Sequence, residues 1–154
     1  MHAIESLKQR FTATASITNP QLSSFEEVIE YLKLHELTDS AQRIAHLCAA
    51  DDLEEGDEPL SLESVKGFVA FMRRFADLGE PLLGLSPQGF LGSTWRIADD
   101  KHLYIQFLNA DEAIFSSVSP GDVSSRLFRL NGLGSLPDIL QTLRAKGMDK
   151  WGAS

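Results

Sequence analysis

The sequence predicts an α+β fold: three to four N-terminal helices, an antiparallel β-meander of four strands with a fifth left open, and one C-terminal helix. Three observations predict it. Up to Phe75 the apolar residues recur at spacings of three and four, the helical repeat. From Pro81 the repeat drops to two, that of a strand with one face buried. Turn-forming clusters then interrupt the alternation at Ser86–Gly89, Ala98–Lys101 and Asn109–Glu112, and connections that short join antiparallel neighbours.

Ile4, Leu7 and Phe11 have helical spacing, so residues 1–10 are the first helix candidate. The Thr/Ser/Asn/Pro-rich stretch Thr12–Gln21 reads as loop, and residues 1–22 are expected to be loosely ordered. Residues 23–79 form a helical layer. Ser24 with Glu27 has the pattern of a capping box, and Phe25, Val28, Ile29 and Leu32 make the stripe of the helix behind it. A second helix starts at Thr38 or Asp39, turns Ile44, Leu47 and Cys48 inward, and ends in the acidic run. A third is capped near Ser61; its stripe is Val65, Phe68, Val69, Met72 and Phe75, and it stops near Gly79.

Residues 81–130 are the meander. In the second strand Leu91, Ser93, Trp95 and Ile97 share the face expected to be buried, with Phe90, Gly92, Thr94 and Arg96 opposite. In the third, Leu103, Ile105 and Phe107 oppose His102, Tyr104 and Gln106. A fourth runs over Ala113–Val118, and Leu127–Leu130 is open as a fifth. Ser135 caps the last helix, 135–147, with Pro137 and Asp138 in its first turn. The whole chain is expected to be one domain.

Ser86-Pro87-Gln88-Gly89-Phe90-Leu91-Gly92-Ser93-Thr94-Trp95, followed by Leu103-Tyr104-Ile105-Gln106-Phe107, resembles a meander of small uncharacterised bacterial proteins with a Pro-x-Gly turn and a strand ending in Trp. The likeness covers about 30 of the 154 residues, all of them structural, and the chain departs from it at Gly92 and Ser93, where larger residues are usual. It implies the fold and brings no established activity. Some of those proteins look like accessory products of toxin–antitoxin or immunity loci.

Composition bounds the function. With 14 basic and 22 acidic residues the formal charge is −8, which disfavours nucleic acid and anionic membrane as direct partners. No apolar run approaches a membrane span, and no secretory h-region opens the chain, so the expected compartment is the cytoplasm. The lone Cys48 excludes an internal disulfide and is expected to be a small buried hydrophobe. His2, His35, His46 and His102 are scattered without metal-ligand spacing, Asn131-Gly132-Leu133-Gly134-Ser135 lacks a dinucleotide loop's third glycine, and no serine sits in a nucleophile elbow. No catalytic residue, metal or cofactor is assigned, and the chain leans away from being an enzyme.

Three readings remain. The first is a protein-binding module that docks a basic partner through the acidic cluster at 51–58, with Glu54, Glu55, Asp57 and Glu58 the contacts, helped by exposed Phe71, Phe90 and Tyr104. The second is a small-ligand or enzymatic site of Arg96, Asp99, Asp100 and His102 at one hairpin end. The third is self-association into a homodimer, through the strand 113–118 as a sheet edge or through the open sheet face.

Overall fold

The computed structural model describes residues 22–49, 53–120 and 127–153. The expected helix at 1–10, Asp51 and Asp52 lie outside them. In chain order come α1 (Phe25–Leu34), α2 (Thr38–Cys48), α3 (Leu62–Arg74), a 3₁₀ turn (Ala76–Leu78), β1 (Leu82–Leu85), β2 (Leu91–Ala98), β3 (Lys101–Phe107), β4 (Glu112–Pro120), β5 (Leu127–Ser135), α4 (Leu136–Ala145) and a last 3₁₀ segment (Met148–Ala153). The α+β class holds, and the fifth strand is present.

Three of the four helices among the described residues start as their sequences dictate. Ser24, Ser61 and Ser135 are extended, and their hydroxyls accept the N–H of Glu27, Ser64 and Asp138. The Glu27 carboxylate reaches back to the Ser23 N–H (2.9 Å), one residue short of the expected box partner. α2 begins at Thr38, as expected, but its N-cap Leu37 offers no side-chain bond.

The strands follow one another in space as β1-β2-β3-β4-β5, every pair antiparallel. Register carries the period-two pattern across the sheet. Leu91, Ser93 and Trp95 of β2 lie opposite Phe107, Ile105 and Leu103 of β3, and all six are buried. Ala113, Phe115 and Ser117 extend that face onto β4. The helices pack on it. Trp95 sets its ring against Phe71 (centroids 5.1 Å apart) and donates its Nε1–H to Gly79 O (2.9 Å), which satisfies the one polar group a buried indole carries.

Ser64 stitches the layers together. Its hydroxyl accepts the Leu91 N–H (2.7 Å) and donates to Phe107 O, between two residues that are partners in the β2–β3 register. It is fully buried.

Four expectations are corrected. Phe71 is not exposed: it is fully buried, in contact with the rings of Phe75, Trp95 and Phe107. α3 runs between the sheet and the other helices, so Ala70 and Phe71 are buried beside the main stripe. Cys48 is exposed at the end of α2. β5 runs on through 131–135, beyond the Leu127–Leu130 left open as a strand, because Ala113 and Phe115 pair with Gly134 and Gly132. The segment 113–118 is no sheet edge, since β5 covers its outer side.

Candidate interaction surface

The face of the sheet away from the helices carries Leu82 on β1, Gly92, Thr94 and Arg96 on β2, His102, Tyr104 and Gln106 on β3, Ile114, Ser116 and Val118 on β4, and Arg129, Asn131 and Leu133 on β5, by register. Leu82 is 77 % exposed, Leu133 68 %, Ile114 40 % and Tyr104 38 %, whereas their neighbours one residue along, Leu83, Ile105 and Phe115, are buried. Among the described residues no helix covers this face. Tyr104 lies along the sheet: its hydroxyl donates to Gln106 Oε1 (3.1 Å), and its ring sits over Gly92, where a Cβ would come within 2.7 Å of the phenol oxygen. Gly92 gives the ring a floor that any larger side chain there would remove.

The acidic loop is held at the rim of this sheet. The Asp57 carboxylate accepts the Glu54 N–H (3.2 Å), and the Asp57 N–H donates to Glu54 O (3.0 Å), closing a turn. Two backbone bonds then fasten the segment to the β1–β2 connection: Glu58 N–H to Pro87 O and Ser61 N–H to Gly89 O, both 2.8 Å. Gly89 has φ +87°, and a Cβ there would run into Pro59 O, so glycine is required twice over. Glu54, Glu55 and Glu58 remain exposed. Phe90, half-buried, follows this turn directly, and its N–H donates to the Ser86 hydroxyl (3.0 Å). Asp57 is half-buried and organises the loop.

At the opposite end of β2 and β3, Arg96 and His102 are register partners, and Asp99 and Asp100 form the turn between the strands. The hairpin therefore gathers all four residues of the ligand reading at one end of the sheet. The His102 Nε2 is shielded from solvent and, among the described residues, has no hydrogen-bond partner. The helical layer holds a cleft of about 350 Å³ elsewhere, between α1 and α3, lined by Tyr31, Leu32, Leu37, Val69, Met72 and Arg73 among others, none of them from the hairpin. Among the described residues no three His, Cys, Asp or Glu side chains converge as a metal ion would need. Partial burial pushes the Cys48 thiol up from its ordinary pKa, against the lowered value of a reactive cysteine.

Compared with known proteins, the chain matches no family model, no curated protein and no solved structure.

Tyr104, Glu54, Glu55 and Glu58 are exposed as the sequence pattern predicts, whereas Phe90 and Asp57, expected to be exposed with them, are half-buried. The pattern missed Ile114, Leu82 and Leu133, although strict alternation on β4 was the available signal for Ile114.

Proposed function

We propose that this chain is a non-enzymatic, cytoplasmic protein-binding module, accessory in kind and antitoxin-like or immunity-like, that docks a basic protein. The observation that carries this reading is the fastening of an acidic loop to the rim of a sheet whose other face bears exposed Tyr104, Ile114 and Leu133. Glu54, Glu55 and Glu58 would steer a cationic partner, and the apolar row would supply burial once it arrives. A charge of −8 supports steering of this sign and argues against nucleic acid as the direct partner. The likeness to accessory proteins of toxin–antitoxin and immunity loci points the same way. The domain as a whole would act as one unit, since a single buried cluster runs from Leu22 to Trp151.

The test is recovery of the partner from the native host on tagged wild-type protein and on a variant with Glu54→Lys, Glu55→Lys and Glu58→Lys. Asp57 is spared because its carboxylate shapes the loop. Wild type is expected to retain a basic protein that elutes as salt rises, and the variant to lose it. Undiminished recovery by the variant rejects the loop as the contact.

A second reading has its own observation. Arg96 and His102 stand opposite each other with Asp99 and Asp100 alongside, which suits a small anionic ligand held by the hairpin. Chemical shifts of His102 that stay still across a panel of small carboxylates and phosphates reject it.

A further inference from the structure

The two edges of the sheet are unlike each other. β1 has four residues, α2 packs beside it, and the Arg43 guanidinium donates to Leu83 O (3.1 Å). That edge is short and partly capped. β5 has nine residues and few of the devices that usually blunt an edge: it contains no proline, no lysine, no acidic residue and no register shift, and its one charged residue is Arg129.

The direction of its free backbone groups follows from the ladder. Leu136 N–H donates to Asp111 O (2.7 Å) just beyond the last β4–β5 pair. Hydrogen-bonded pairs alternate with non-bonded ones along an antiparallel ladder, so Ala113–Gly134, Phe115–Gly132 and Ser117–Leu130 are the bonded pairs. The N–H and C=O groups of Arg129, Asn131 and Leu133 therefore point away from β4. Among the described residues nothing pairs with them.

We propose that a second copy of this chain does, through β5 of each copy running antiparallel about a two-fold axis at Asn131. That register sets Asn131 against Asn131 of the partner copy and Arg129 against the partner copy's Leu133. Every outward group of the three central residues is then bonded, in roughly six intermolecular hydrogen bonds. The strand is also where two chains of charge −8 can meet without carboxylates opposed, since its one charged residue is Arg129. On the open face the Arg129 stem would lie along the partner copy's Leu133, itself 68 % exposed in the single chain. Two five-stranded sheets become one of ten strands, and the exposed face described above becomes continuous across the axis.

Light scattering and hydrogen exchange test this together on the full chain. A mass of twice 17.0 kDa is expected. Asn131→Pro removes only an outward N–H, and Asn131→Asp sets two carboxylates face to face across the axis; both are expected to give monomers with an unchanged far-UV spectrum. In the wild type the Arg129, Asn131 and Leu133 amides should be protected, and the protection should fall on dilution. A wild-type mass of 17.0 kDa throughout, or a dimer with these three amides unprotected, overturns the proposal. Protection in a 17.0 kDa species also overturns it, for the chain would then be covering its own strand. Exchange in the wild type decides the matter even if either variant misfolds.

Discussion

Replacing Ser64 with alanine removes a single oxygen from a place where two elements of backbone depend on it. The hydroxyl stands between the Leu91 N–H and Phe107 O, and Ser64 is fully buried, so water does not substitute for it without opening the α3–sheet contact. A buried backbone group left unpaired costs about 1–3 kcal/mol. Two are affected, and partial closing of β2 on β3 recovers some of the loss, which leaves about 2–4 kcal/mol. For a chain of this length each kcal/mol lowers the melting temperature by roughly 2–4 °C, so the variant should melt about 4–16 °C below wild type. Urea unfolding followed by tryptophan fluorescence measures it, since Trp95 is buried in the same layer. The slope should stay unchanged while the midpoint falls. Ser64→Cys, a weak donor of similar size, should fall between the two. A loss below about 1 kcal/mol for the alanine variant would refute the reasoning, because the two groups would then have other partners.

Three further outcomes are expected from the same packing. Gly89→Ala should cost about 1–3 kcal/mol, through left-handed backbone and the clash with Pro59 O, and should raise the exchange rates of the Glu58 and Ser61 amides; unchanged exchange would mean the acidic loop is not fastened there. Phe71→Ala should be among the most damaging core truncations, about 3–5 kcal/mol by urea unfolding, whereas Tyr104→Ala should cost under about 1 kcal/mol; equal losses would contradict the sidedness of the sheet. Cys48 should react with a thiol reagent in the folded protein, one equivalent per chain, but more slowly at pH 8 than a free thiol, because its raised pKa lowers the thiolate fraction; reaction only after unfolding would contradict its exposure.

Much of the fold is legible in the chain because local and global preferences agree. The three serine caps, the change of period after Pro81 and the alternation of Leu91–Trp95 and Leu103–Phe107 are properties of neighbours in sequence. The errors have a common origin in contacts between distant residues. Phe71 falls outside a one-stripe helix, yet α3 has packed neighbours on more than one side, which sequence spacing does not reveal. Asn131, Gly132 and Gly134 have low strand propensity, and the strand is supported by pairing with Ala113 and Phe115 some twenty residues earlier. The candidate surface divides the same way. The carboxylates and Tyr104 show in the sequence, but fastening of the loop rests on Gly89 meeting Pro59, thirty residues apart. Arg96 and His102 are brought together simply because a tight turn separates them.

The exposed apolar face is what a partner would find, and a soluble paramagnetic agent reads it without knowing the partner. Added to methyl-labelled protein below the concentration at which copies associate, the agent should broaden the Leu82, Ile114 and Leu133 methyl signals and spare those of Leu83, Leu103 and Ile105. Sharp Ile114 and Leu133 signals beside a broadened Ile105 would contradict the account, for the helices would then lie on the other side of the sheet.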